Sequence, residues 1–134
     1  NIPQVLAECR RVLKDEGRFL CSTYGKQHMW EITDLVQQFH KEIVLSAEVL
    51  YERFGLENGE NLLAPYFPEI QMRRYEDAIE IAEAEPLISY ILSCHGNQNQ
   101  LLLNQYKEFR EFVSARVADG FHITKDAGIF LCRK

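Results

Sequence analysis

Among the residues able to do chemistry, His28 stands first, because an imidazole takes or gives a proton near neutral pH. It closes the run Tyr24-Gly25-Lys26-Gln27-His28, which reads as the loop after a strand. Open α/β sheets place their ligands at the carboxyl ends of strands. Thr23, Tyr24 and His28 are therefore candidate binding residues, with His28 the candidate base. Tyr24 also has a ring face suited to a cation. Each has a plainer role beside this one: Tyr24 can simply pack, and His28 can cap the next helix. Trp30 is a fourth candidate wall residue, although a lone tryptophan on a helix more commonly packs. His40, His95 and His122 read as helix-end, loop and strand residues, and they lack the spacing of a metal set.

Two further clusters are weaker. Arg73 and Arg74 could receive an acidic substrate, but such a pair is more often a solvated strand face with one member ion-paired. Glu76, Asp77, Glu80, Glu83 and Glu85 read as a solvated acidic face, with Glu85 favoured by the start of a helix. Cys9, Cys21, Cys94 and Cys132 form no Cys-x-x-Cys pair, so no zinc site is expected. Four cysteines could form two bridges, but Cys9, Cys21 and Cys132 sit in apolar patterns that point to reduced core thiols and hence to a reducing, cytoplasmic compartment.

The elements that must position these residues follow from periodicity. Asn1-Ile2-Pro3 reads as a capped helix start, with Val5, Leu6, Cys9 and Leu13 at helical spacing up to Gly17. Arg18–Thr23 is apolar on both faces and reads as a buried central strand of a parallel sheet. A helix over Met29–His40 carries Ile32, Leu35, Val36 and Phe39 on one face. Ser46 is expected to cap a second short helix through Phe54, and Asn58 or Asn61 to start a third. Glu69–Tyr75 and Ala78–Ala82 read as short strands. Helices follow from Glu85 and from about Leu101 to Ala118, and Gly120 closes the last. Phe121–Lys125 and Ile129–Arg133, separated by Asp126-Ala127-Gly128, read as an antiparallel hairpin.

The chain has 134 residues, 46% hydrophobic and 26% charged, with a net charge of −5. That is enough for one packed domain. No basic block marks a nucleic-acid groove, and no apolar run approaches the ~18–20 residues of a membrane span. The first segment is a charged amphipathic pattern and does not read as a signal peptide. The seven glycines include no G-x-G turn, and nucleotide P-loop, nucleophile-elbow and H-E-x-x-H patterns are absent. The chain begins without methionine, directly at a helix signal, and so is expected to be a piece of something longer.

Asn1 to Met29 resembles one place in a known family. The run Arg11-Val12-Leu13-Lys14, with Gly17-Arg18-Phe19 after it, resembles the R-V-L-K-P-G-G segment before the fifth strand of class I S-adenosylmethionine-dependent methyltransferases. Asp15-Glu16 stand where the family has Pro-Gly. Phe54-Gly55-Leu56-Glu57-Asn58-Gly59, Arg74-Tyr75-Glu76-Asp77-Ala78, Glu85-Pro86-Leu87 and Lys125-Asp126-Ala127-Gly128-Ile129-Phe130 are similar, in the same order, to a subgroup of small bacterial members.

The resemblance implies an α/β fold: the carboxyl-terminal half of a Rossmann-like methyltransferase sheet, with strands 5, 6 and 7, an antiparallel hairpin end and inserted helices. Residues 1–134 would then be one partial domain. Arg18–Thr23 would be the fifth strand, Glu69–Tyr75 the sixth and Ile129–Arg133 the seventh, which inserts beside the fifth. A helical insertion over about 29–67 would cover the substrate side. The resemblance further implies a methyltransferase acting on a small molecule, with S-adenosylmethionine held by residues upstream of Asn1 and none in this chain. The isolated chain would then bind no cofactor and be inactive. An alternative is a non-catalytic binding or dimerisation module derived from the same half-domain. The uncovered edge of Arg18–Thr23 is expected to drive self-association, as unpaired strand edges do. No nucleic-acid, membrane or metal partner is expected.

Overall fold

The computed structural model describes all of residues 1–134. It is a mixed α/β structure: α1 (Ile2–Val12), β1 (Arg18–Tyr24), α2 (Trp30–Phe39), α3 (Leu50–Arg53), α4 (Gly59–Leu63), β2 (Glu69–Ile81), α5 (Ala84–Ser93), α6 (Gln98–Leu102), α7 (Tyr106–Val117) and β3 (Phe121–Arg133). The three strands form one open sheet in the order β1-β3-β2. β1 runs antiparallel to β3, from Arg18 opposite Arg133 to Tyr24 opposite Ala127. β2 is antiparallel to β3 as well: Gly128 lies against Arg73 and Arg74, and His122 pairs with Glu80. No helix is long and apolar enough to cross a membrane.

Contacts divide the chain into two compact units. The first comprises residues 1–28, 50–76 and 126–134, and the second residues 29–49 and 77–125. The helices expected as one insertion over 29–67 are thus shared out, α2 to the second unit and α3 and α4 to the first. In the first unit, Leu6, Leu56, Leu63, Phe67, Phe130 and Cys132 form the core, and the Phe19 and Phe67 rings stack at 5.3 Å. In the second, α2, α5 and α7 bury Leu35, Val36, Ile88, Ile91, Phe109 and Val113.

Local chemistry explains most element ends. The Asn1 side chain accepts from the Gln4 amide at 3.3 Å and caps α1. Gly120 follows α7 at φ 92, a conformation that costs glycine nothing. The turn into β1 is less comfortable, because Glu16 stands there at φ 61. All four cysteines are free.

Several expectations are corrected. The hairpin at the carboxyl end does not exist, because β3 is one continuous strand and Asp126-Ala127-Gly128 lie inside it. The glycine there answers a packing need rather than a turn. A Cβ on Gly128 would sit 2.7 Å from a Leu56 methyl and 2.9 Å from the Arg73 carbonyl oxygen. Likewise β1 is not a central parallel strand buried on both faces. It is an edge strand with an antiparallel neighbour, half-buried at Phe19, Cys21 and Thr23 and exposed at Arg18, Leu20 and Ser22. The helix expected from Ser46 begins only at Leu50. The Ser46 hydroxyl donates to the Glu48 carbonyl at 2.8 Å and closes a local turn, which competes with capping. Finally, the two short strands expected over 69–82 are one strand, β2.

Candidate functional site

β1 delivers its last residues to a cavity of about 550 Å³ within the first unit. Thr23, Tyr24 and His28 all line it, so three of the four candidate residues come together. The Tyr24 and His28 rings stack at 4.9 Å with 23° between their planes. Stacked in this way, the two rings shield one face of each other. Thr23 Oγ1 donates to the Phe54 carbonyl at 2.7 Å. That bond fixes the hydroxyl and ties β1 to Phe54. Trp30 does not join them: it opens α2 in the second unit, half exposed, and does not line this cavity.

The rest of the lining is mainly apolar, from Ile2, Leu50, Phe54 and Ala127, and it includes Arg53. Sequence reasoning missed Arg53. Its signal was available in Tyr51-Glu52-Arg53-Phe54-Gly55, where a short helix stops at a glycine and presents its last turn.

The loop from Tyr24 to His28 is held by an arrangement of charges that sequence reading also missed. The Gly25 amide donates to the Asp126 carbonyl at 2.9 Å, and the Lys26 amide to Glu57 Oε1 at 3.1 Å. The Gln27 amide donates to Asp126 Oδ2 at 3.3 Å, and the His28 amide to the Gly25 carbonyl at 3.2 Å. Four consecutive amides are thus satisfied. Arg74 Nε pairs with Asp126 Oδ1 at 3.1 Å, and Arg74 Nη2 reaches Glu57 Oε1 at 3.4 Å. One guanidinium therefore bridges both carboxylates that grip the loop. Arg74 is the ion-paired member of the Arg73–Arg74 pair, as expected of such a strand face. Gly25 is where the carboxylates come closest, since a Cβ there would overlap Asp126 Oδ2 and crowd Glu57 Oε1. A side chain there would push the carboxylates off the loop.

Burial disfavours the thiolate at Cys21, Cys94 and Cys132. Burial first, then the neighbouring Cys132 and Cys9, push the Cys21 thiol up to about 11. Burial raises Cys132 as well, and it raises Cys94 against the lowering contact that Cys94 makes with Tyr90. No group of three or more His, Cys, Asp or Glu side chains is placed to hold a metal ion. The cavity's lining thus combines a stacked ring pair, apolar side chains and Arg53.

Compared with known proteins, the chain is matched by no family model and by no curated protein.

Proposed function

We propose that this chain is the carboxyl-terminal part of a class I S-adenosylmethionine-dependent methyltransferase domain, and that the cavity beside β1 receives its small-molecule methyl acceptor. The observation that carries this reading is the strand order. The resemblance implies a seventh strand inserted beside the fifth and antiparallel to it. In the sheet β1-β3-β2, the last strand in sequence lies between the other two and runs antiparallel to both. Two details support the same reading. Glu16 adopts a left-handed conformation at the position where the family carries glycine. The candidate acceptor residues Thr23, Tyr24 and His28 converge at the carboxyl end of β1, where such sheets bind ligands.

The residues present do not form a cofactor site. A sulfonium nucleoside needs a glycine-rich turn for its close approach and a carboxylate for its ribose hydroxyls. The chain has no G-x-G turn. Asp126 and Glu57, the carboxylates gripping the loop beside the cavity, are already engaged by loop amides and Arg74. The role proposed for this chain is therefore on the acceptor side. Tyr24 and His28 contribute a stacked ring pair, Arg53 lies in the same lining, and His28 is the group able to take a proton.

The test is a calorimetric titration with S-adenosylhomocysteine. The 134-residue chain is expected to give no heat, and a chain extended at its amino end is expected to bind. Micromolar binding by the unextended chain alone, or none by the extended one, overturns the reading. The alternative, a binding or dimerisation module from the same half-domain, draws on the unpaired edge of β1 with Leu20 exposed. Failure of the extended chain to bind cofactor would favour it.

A further inference from the structure

β2 is the other edge of the sheet, with a neighbour on one side only. It is thirteen residues long, and every side chain from Gln71 to Glu80 is exposed. Exposed edge strands usually carry charges, prolines or bulges that discourage pairing. β2 has no proline, and its charges are of both signs. Its centre reads Arg73-Arg74-Tyr75-Glu76-Asp77, two cations and two anions arranged about a tyrosine. Tyr75 is 66% exposed, Met72 42% and Ile79 38%.

This order is self-complementary under a two-fold axis. When a strand pairs antiparallel with its own copy about Tyr75, Arg74 lies opposite Glu76, Arg73 opposite Asp77 and Met72 opposite Ala78. Each pairing occurs twice, once on either side of the axis. Residues directly opposite share a sheet face and lie close enough to interact, and opposite charges there are favourable. Other registers are worse. Outward-facing backbone amides alternate along a strand, so an edge-to-edge pair can slip only by two residues at a time on the partner. The neighbouring allowed registers centre on Arg74 or on Glu76. The first sets Arg73 against Tyr75 and Gln71 against Asp77. The second sets Arg74 against Ala78 and Arg73 against Ile79. Neither makes an ion pair. Only the Tyr75-centred register uses all four charges.

Three of those charges, Arg73, Glu76 and Asp77, have no other occupation. Arg74 already serves Asp126 and Glu57. The other three, by contrast, make no side-chain hydrogen bond or ion pair within the chain. The other edge has no such pattern. A β1 self-pair about Cys21 would set Arg18 against Tyr24 and Phe19 against Thr23, with no charge to select it. We infer that a second copy of this chain docks on β2, extending the sheet through an antiparallel β2–β2 pair centred on Tyr75. This places self-association on the opposite edge from Arg18–Thr23, and it goes beyond the proposed methyl-transfer role without depending on it.

Sedimentation equilibrium over a wide concentration range tests this, using the chain and three variants. The unmodified chain is expected to show a monomer–dimer equilibrium. Asp77→Arg faces Arg73 with arginine, and Arg73→Asp faces Asp77 with aspartate. Each should weaken the dimer about tenfold or more, since two attractions become two repulsions. Mixed in equal amounts, the two variants should form a heterodimer near the original affinity. In that pair every opposition is again cation to anion, and the rescue also shows that both variants fold. Leu20→Lys on β1 should leave association unchanged. The proposal is overturned if the unmodified chain stays monomeric, if the single variants associate as the original does, if the mixture fails to rescue, or if Leu20→Lys abolishes the dimer.

Discussion

Both units have an apolar core, and the first adds a charge clamp on the loop of the candidate site. In the second, α2, α5 and α7 meet through side chains with no polar atoms, among them Phe109, Val113, Ile88 and Ile91, each almost wholly buried. Phe39 meets Phe109 edge to face at 5.2 Å. In the first, the segment that matters to the candidate site is fixed by Asp126, Glu57 and Arg74 gripping a loop of four amides. Apolar packing tolerates small shifts and is strengthened by area. A charge clamp depends on pairing, and removing one member leaves a charge without its partner. A scaffold can use the first. The loop that carries the stacked rings uses the second.

The largest expected effect tests the apolar half of this contrast. Phe109 is fully buried, and Phe109→Ala should remove about 3–5 kcal/mol from the stability of the chain through lost burial and the cavity left behind. Urea unfolding at neutral pH measures it. The loss should be nearly independent of salt. A loss under about 1 kcal/mol would mean that the helices collapse into the space, and that their packing is looser than the contacts indicate.

The next effect tests the clamp. Asp126 exposes 9% of its side chain beside Arg74 at 39%. Asp126→Ala strands the Gln27 amide and leaves Arg74 with Glu57 alone. A fully buried broken pair costs about 3–5 kcal/mol, and the partial exposure of Arg74 lowers the expectation to about 2 kcal/mol. The distinguishing readout is local. Amide exchange should accelerate at Lys26 and Gln27 well beyond what the global loss explains, while amides of α5 and α7 change only by the global amount. Equal acceleration throughout would show that Asp126 supports the unit as a whole and does not act on the loop in particular.

Legibility follows the same divide. α1, β1 and α2 are readable because their cores repeat at helical or strand spacing within a few residues, as Ile32, Leu35 and Val36 do. Thr23, Tyr24 and His28 are readable as a site because all three follow one strand. The clamp is not, because Asp126 lies 99 positions from Gln27 and Glu57 lies 31 from Lys26, and no local pattern joins them. The same distance produces the false hairpin. Asp-Ala-Gly has a turn composition, but here Asp126 is spent on Arg74 and the loop, and Gly128 makes room for β2 and Leu56. Turn chemistry is outcompeted by partners the local sequence does not contain.

The smallest expected effect asks whether the second unit is held by apolar contact alone. Glu31, in the first turn of α2, accepts from the Thr124 amide at 3.0 Å and from the Thr124 hydroxyl. Burial pushes its carboxyl up. The hydrogen bonds from the Thr124 hydroxyl, its own backbone and the Thr124 amide, together with His122, outweigh that and leave it below the usual carboxylate value. A carboxyl depressed in the folded chain stabilises it fully above the unfolded pKa of about 4.3, and that contribution is lost as pH falls through the lower folded value. Solvent reaches this carboxylate and screens it, so Glu31→Gln should cost no more than about 1 kcal/mol at pH 7. The gap to the original chain should close as pH is lowered through the acidic range below about 4. Urea unfolding across that range reads the gap directly. A constant gap would mean that the substitution removes only packing, and that the Glu31 charge contributes nothing. A closing gap would show that even the apolar unit anchors α2 to β3 by one ionised contact, so that the two units differ in proportion and not in kind.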